Sequence, residues 1–402
     1  MLLTMKEQHK IEVIQGVMDE QFSVEEGAKL LNRSTRQIYR MLISLRNNGL
    51  PGLVHGNKGR ASPRKISEDN RKKIIELAQG KLKDINDTHL AEILEREEKL
   101  KISRQSLRQI LRSAGIAPKL KRRKLKHRSR RARKEAFGMM IQIDASIHDW
   151  LEGRGPKLSL VGGKDDATNV VWALFEEAES TWAYFHLMEA IFTDQGLPLS
   201  LYSDRHTIFY SPREPTVLEQ LKNTGPLTQF GRAMQELGVS VIPAYSPQAK
   251  GRIENQWKTF QDRLVVELRL ANASSLEEAN KVLKDFLVAY NKRFSIAPKQ
   301  RQSVFRKAPL KNKLDRILCL KDLRVVAKDH TISFEGLALQ IPSSKKFRSI
   351  AQKKVEVLQL KDGSIEIIYK QMNVATFSPE AVTRMVEHKK TKTELKLLKK
   401  AA

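Results

Sequence analysis

The amino-acid sequence predicts a multidomain chain: all-α helix-turn-helix modules at the N-terminus, a central α/β domain on a mixed sheet, and a small β-barrel at the C-terminus. Three observations carry this expectation. At 402 residues the chain exceeds one compact domain, so two to four domains in series are expected. Apolar residues keep helical spacing up to about residue 118, and from 137 the pattern alternates between strand and helix periods. Beyond residue 300, short alternating segments separated by turn residues dominate.

Charge narrows the class of partner. Lys and Arg total 73 against 46 Asp and Glu, a formal net charge of +27, which points to a polyanion. With 40% hydrophobic and 6% aromatic residues the chain is globular but short of stacking platforms, so double-stranded DNA ranks above single strands. Cys319 is the single cysteine; it excludes an intramolecular disulfide and a thiolate zinc cluster, fits a reducing compartment, and reads as a buried small hydrophobe. No apolar run approaches the ~20 residues of a membrane span. Met1-Leu2-Leu3 is too short a start for a signal peptide, so a cytoplasmic protein without a membrane partner is expected.

Residues 1–50 read as the first helix-turn-helix domain. Ile11, Ile14, Val17 and Met18 recur at helical spacing over 5–19, and a second helix starts after Ser23. Its Ala28 is small enough for a close crossing, Asn32 suits a left-handed turn, and Ile38 packs beneath. Ser34 and Gln37 form an S-x-x-Q capping box opening a third helix. Thr35, Arg36, Gln37 and, one turn on, Arg40 are residue types that read base edges in a major groove. A plain three-helix bundle with a polar face is the alternative.

Residues 51–66, rich in glycine and proline, read as a linker, and 67–118 as a second helix-turn-helix domain. Ser67 caps a helix to residue 79, helices follow over 88–96 and 103–113, and Gly115 closes the last. Arg104, Gln105 and Arg108 stand near the start of its final helix, but the longer connection through Lys99 leaves plain packing open beside DNA reading. The basic linker 119–136, with Lys121, Arg122 and Arg123, cannot fold on itself; it is a phosphate-tracking arm or a solvated connection.

From 137 to 299 the order is three strands, a helix, then alternating strand and helix. The strands fall at 139–143, 158–161, 170–175, 199–203 and 239–242, with helices over 178–193 and 227–237. Asp144 ends the first strand, Asp204 ends the fourth, and Glu254 lies in the first turns of a following helix. If the first and fourth strands are neighbours, the aspartates face each other and Glu254 completes a three-carboxylate pocket. Such hard oxygen ligands suit Mg²⁺ or Mn²⁺. Two ions about 3.5–4 Å apart would support in-line phosphoryl transfer with no protein nucleophile.

Singly, each carboxylate has an ordinary reading as a helix cap, a turn former or a solvated side chain. Asp149, Glu152, Asp165 and Asp166 compete for the metal role; Asp165-Asp166 follows a Gly-Gly pair, where turn chemistry explains it. His148 and His206 adjoin the aspartates and are read as structural hydrogen-bond partners. Lys258 lies four residues past Glu254, on the same helix face and within reach of a phosphate. Lys250 and Arg252 flank Gly251; for these three cations, ordinary surface charge is the alternative. Trp257 reads as a packing residue.

Gln142-Ile143-Asp144, Tyr202-Ser203-Asp204 and Tyr245-Ser246-Pro247-Gln248-Ala249-Lys250-Gly251-Arg252-Ile253-Glu254 resemble the three catalytic motifs of retroviral-integrase-like DDE transposases. The stretch 144–155 is most similar to bacterial insertion-sequence transposases of the ISNCY group. The resemblance spans about 137–299 and implies an RNase H-like fold, with Asp144, Asp204 and Glu254 as catalytic metal ligands. It implies Mg²⁺-dependent DNA cleavage and strand transfer with two ions per site, and a homo-oligomer acting on paired terminal inverted repeats and target DNA. Two features depart from retroviral integrases: a longer Asp204 to Glu254 spacing, with 207–226 as an inserted loop, and no His/Cys zinc module. A sequence-specific regulator with an inert core and a structure-selective nuclease are the competing functions.

Residues 300–385 carry strand patterns at 323–327, 331–334, 355–360 and 365–369, with Asp362-Gly363 as a hairpin turn; these predict the small β-barrel. The basic tail 386–402 is a phosphate-binding arm or a solvated end.

Overall fold

The computed structural model describes residues 3–58, 66–119, 131–221, 225–244, 251–343 and 349–387. The chain forms two compact units, Met1–Lys83 with Ile110–Gly115, and Asp84–Gln109 with Ile116–Ala402.

The first unit opens with α1 (Met5–Met18), α2 (Val24–Leu31) and α3 (Thr35–Asn48). Thr4 with Glu7 and Ser23 with Glu26 make reciprocal capping boxes that satisfy the first amides of α1 and α2. Asn32 ends α2 in the left-handed conformation (φ 50°), as its place in the turn predicts. Ile11, Ile14, Val17, Ala28, Ile38 and Leu45 close a common core. At Gly27 a Cβ would stand 2.6 Å from Val17 Cγ2, so α1 and α2 approach as closely as they do only with glycine there.

Two expectations are corrected here. Ser34 stands at the N-cap of α3, but its side chain makes no capping bond; the Gln37 amide donates to the Ser34 carbonyl instead. Part of the predicted linker also folds: a 3₁₀ turn, Leu50–Leu53, puts Leu53 into the three-helix core, and Lys58 pairs with Glu7. Helix α4 (Glu68–Gln79) follows, capped by Ser67 as predicted.

Next come α5 (Asp87–Glu97), capped by Asn86, and α6 (Arg104–Ser113). The second unit is organised by a five-stranded sheet of β1 (Ile141–His148), β2 (Leu158–Asp165), β3 (Val171–Glu176), β4 (Ser200–Ser203) and β5 (Ser240–Pro243). Its order is β3-β2-β1-β4-β5. β2 runs antiparallel to β1 and β3, whereas β4 is parallel to β1 and β5 to β4. Helices α7 (Thr181–Asp194), α8 (Val217–Leu221), α9 (Gln229–Glu236), α10 (Gly251–Leu270) and α11 (Leu276–Phe294) complete this region.

Two cores flank the sheet. Ile141, Ile143, Val161 and Leu201 pack with Met188 and Ile191 of α7 and Phe230 of α9. Leu158, Leu160 and Phe175 pack with Trp257, Phe260 and Leu264 of α10 and with Leu283 and Tyr290 of α11. A sheet buried on both sides accounts for the all-buried pattern of β2.

After α12 (Lys311–Asp315) come β6 (Leu320–Val325), β7 (Thr331–Phe334), β8 (Leu337–Gln340), β9 (Lys354–Gln359), β10 (Ile365–Tyr369) and β11 (Met372–Phe377). The expected barrel is not found among the described residues. Instead an open antiparallel sheet, β11-β10-β9-β6, stands beside a separate β7-β8 hairpin. Among the described residues the two hairpin strands ladder only with each other, and they lay Ile332, Phe334, Leu337 and Leu339 on Val355, Val357, Ile365 and Ile367, so the hairpin covers the sheet rather than closing it. The Asp362-Gly363 turn forms as predicted, with Gly363 at φ 83° and the Ser364 amide donating to the Asp362 carboxylate. Among the described residues, no helix is long and apolar enough to cross a membrane.

Candidate active site

Parallel pairing of β1 with β4 aligns Gln142 with Tyr202. Two residues further along each chain are Asp144 and Asp204, so β1 and β4 are neighbours, as the sequence reading supposed, and the two aspartates follow the same end of their parallel pairing. One detail differs: Asp144 lies within β1, which runs on to His148, because the β1–β2 ladder continues past the point where pairing with β4 stops. Both aspartates are half-buried. They act on the same phenol: burial, then the negative charge of Glu179, Asp144 and Asp204, holds Tyr184 protonated well above its ordinary range. Tyr184 donates to Glu179 at 2.7 Å.

Helix α10 crosses β1 on the face carrying Asp144. Trp257 Nε1 donates to Asp144 Oδ2 at 3.0 Å, and Gln261, four residues on, donates to Ser146 at 3.2 Å. Glu254 precedes Trp257 by three residues and Lys258 follows Glu254 by four, which places all three on adjoining positions of the helix. Glu254 and Lys258 are both exposed, while Trp257 is 5% exposed. The indole fits because β2 has Gly162 opposite Asp144; a Cβ there would stand 2.6 Å from Trp257 Cη2. Trp257 therefore packs, as predicted, and also fixes a catalytic candidate, which the sequence reading missed. The Gly162-Gly163 pair was the available signal.

A second polar cluster lies at the start of α10. Asp166, 1% exposed, accepts from Arg131, from the Lys134 amide and from Gln142, and pairs with Arg252. Arg252 also donates to the Arg131 carbonyl, so its guanidinium is engaged inside the protein. The hydrogen bonds from Arg252 and the Lys134 amide, with the charges of Arg131 and Arg252, outweigh burial and hold Asp166 below the usual carboxylate range. Asp165 serves the turn, accepting from Gly138, Ala167 and Thr168, and burial pushes its carboxyl up. Lys164 is buried among Arg133 and Arg252; burial, then those like charges, pushes its amine down to about 8.

The rival carboxylates have local partners. Asp149 accepts from the Gly153 amide, and Glu152 pairs with Arg269 and Arg154. His206 Nδ1 accepts from the Ile208 amide, and His148 stacks edge-on with Trp150. Of the inserted loop, Phe209 packs in the core against Tyr184 and Phe230, and the loop bounds a cleft of about 570 Å³ beside Asp204. Thr35, Arg36, Gln37, Arg40, Arg104, Gln105 and Arg108 are exposed. Lys121, Arg122, Arg123 and Lys250 lie outside the described residues, as do the stretch 245–250 and the tail from 388. Cys319 is buried, as predicted, and burial pushes its thiol up to about 11.

Helix α5 is docked on α10. Glu92 pairs with Arg263 and Arg293, and Glu267 holds His89 and Arg96. Lys119, at the start of the basic linker, pairs with Asp262.

The strand order, with β2 alone running against the other four, defines an RNase H-like domain, the class of fold that the sequence resemblance implied. No family model matches the chain. A candidate transposase of Sinorhizobium fredii is 33% identical over 92% of this chain and 80% of its own length. The transposase of insertion sequence IS1202 from Streptococcus pneumoniae is 31% identical over 90% of this chain and 84% of its own. Among solved structures, the BIV integrase catalytic core is 18% identical over 39% of this chain and 85% of that chain, with a TM-score of 0.27. A chain of the simian T-cell lymphotropic virus intasome in complex with PP2A regulatory subunit B56 gamma is 12% identical over 76% and 99%, with a TM-score of 0.33.

The chain belongs to the transposases of bacterial insertion sequences. It is accordingly an enzyme of the polynucleotidyl-transferase type.

Proposed function

We propose that this transposase binds the terminal inverted repeats of its element through its N-terminal helices and cleaves and joins DNA at Asp144, Asp204 and Glu254. The observation that supports this best is the β1–β4 register, whose last pair, Gln142 with Tyr202, lies two residues before each aspartate on neighbouring strands, together with the Trp257 bond that ties α10, and so Glu254, to Asp144.

The donor set suits hard divalent cations: carboxylate oxygens, with no thiolate and no imidazole beyond His148 and His206 nearby. Among the described residues, no three acidic, His or Cys side chains already converge on one metal-holding group. In this reading Asp144 and Asp204, on neighbouring strands, and the exposed carboxylate of Glu254 on α10 would come together on the metal. Asp144, Asp204 and Glu254 would hold two Mg²⁺ or Mn²⁺ ions, whose chemistry would be to activate a water or DNA 3′-hydroxyl and to stabilise the leaving oxygen. The protein's own share is to hold the carboxylates. Trp257 orients Asp144, the His206 amide donates to Asp204 Oδ1 at 3.0 Å, and Tyr184, protonated, adds no charge.

In this reading Thr35, Arg36, Gln37 and Arg40 read base edges, Arg104, Gln105 and Arg108 add a second contact, and Lys121, Arg122, Arg123, Lys250 and Lys258 hold phosphates. Arg252 works indirectly, by securing the start of α10. The enzyme acts as a homo-oligomer on paired ends. Asp144→Asn, Asp204→Asn and Glu254→Gln should each leave end binding within about twofold and abolish cleavage and joining, because carboxamides hold these ions poorly. Cleavage that persists in any one variant removes that residue from the triad, and cutting without joining in the wild type favours the nuclease.

A further inference from the structure

We infer that Tyr39 and Ile43 on α3 read thymine methyl groups in the terminal repeat, which makes them specificity determinants beside the polar residues of the same helix. The inference rests on the proposed role of α3 as the end reader.

Helix α3 divides into two faces. Ile38 and Leu45 are buried in the three-helix core, with Met41 and Leu42 packed against it. On the other face, Tyr39 is 56% exposed and Ile43 58% exposed, at i and i+4, in line with exposed Arg36 and Arg40. Scattered apolar side chains on a surface need no explanation. Two that follow each other up one helix face, inside a row of arginines, do.

Charge selects the occupant. Helix α3 carries Arg36, Arg40 and Arg46, is preceded by Arg33, and contains no acidic residue. Two copies of this face would set arginine against arginine, whereas a DNA groove neutralises them. From Arg36 to Ile43 the axis rises about 10.5 Å, about three base steps, so the stripe spans neighbouring pairs of one site. In the major groove the base edges offer donors, acceptors and one apolar group, the C5-methyl of thymine. An isoleucine and the ring of a tyrosine match only that group.

The test uses the full chain and a library of random-sequence duplexes. The motif selected by the wild type is resynthesised with deoxyuracil in place of thymine, which removes the methyl and nothing else. The wild type should lose about fourfold in affinity for each contacted thymine, the effect of leaving one methyl's worth of apolar surface unburied. Ile43→Ala and Tyr39→Ala should each become indifferent to the exchange at a different thymine. Arg36→Ala should weaken both duplexes and keep their ratio. Equal wild-type affinity for the two duplexes overturns the methyl readout and leaves the end reader standing. If Arg36→Ala has no effect on either duplex, or no motif emerges, the end-reader assignment fails instead. Self-association of the wild type that Ile43→Ala abolishes, with no change in DNA affinity, gives the stripe to a second copy and overturns the inference.

Discussion

Trp257 shows how one side chain joins packing to chemistry. Its ring fills the core between α10 and β2, and its N–H orients Asp144. Trp257→Phe keeps most of the apolar volume and removes the donor. Partners of this kind to metal-binding carboxylates are worth about 10–100-fold in metal affinity or activity. Cleavage should fall within that range, with a higher Mg²⁺ concentration needed for half-maximal rate and end binding unchanged. A metal titration that overlays the wild type assigns the bond to packing alone. Lys164 is the second residue with a measurable signature. Its amine falls from 10.5 to about 8 in the fold because burial disfavours the charge. Between those values the unfolded chain binds a proton that the folded chain has released, so stability rises with pH across this window, and the penalty is full below about 8. Lys164→Met should therefore raise the melting temperature of the second unit by about 2–4 °C at pH 7. The gain should shrink toward pH 10; a pH-independent gain would mean that the amine titrates normally.

At the scale of elements, the fit of α10 on β1 and β2 decides whether the site forms. Gly162 is the position where the backbone must leave room, because a Cβ there would stand 2.6 Å from Trp257 Cη2 and 3.1 Å from the Trp172 carbonyl oxygen. Gly162→Ala should cost about 1–3 kcal/mol by overpacking, measured by urea unfolding, and lower cleavage in parallel. The double variant Gly162→Ala/Trp257→Phe should regain part of the stability; strict additivity would show that the two do not touch. Helix α5 supplies a further brace, since its Glu92 pairs with Arg263 and Arg293 and its His89 and Arg96 hold Glu267 of α10.

For the whole molecule, the excess of 73 basic over 46 acidic residues sets the response to salt. Replacing Lys121, Arg122 and Arg123 with glutamine should lower affinity equally on repeat and random duplexes. The slope of log affinity against log salt should fall by about 3, because each released counterion contributes about 0.9. Arg36→Ala with Gln37→Ala should instead reduce the ratio of repeat to random binding. If the linker change alters that ratio, the linker reads sequence and the proposed division of labour is wrong.

The sequence by itself determined the order of elements, because periodicity records which face of each helix or strand is buried. It placed α1 to α3 and the five strands of the mixed sheet, and it named Asp144, Asp204 and Glu254 as candidates on neighbouring elements. Tertiary structure alone decided the matters that depend on which elements meet. It extended β1 past Asp144, because a second neighbour continued the ladder. It turned Arg252 inward to Asp166 and joined Trp257 to Asp144. It also left the C-terminal sheet open, with a hairpin laid over its face. A local pattern states that a residue is buried or exposed; its partner across another element is set by register and packing, which no stretch of sequence contains.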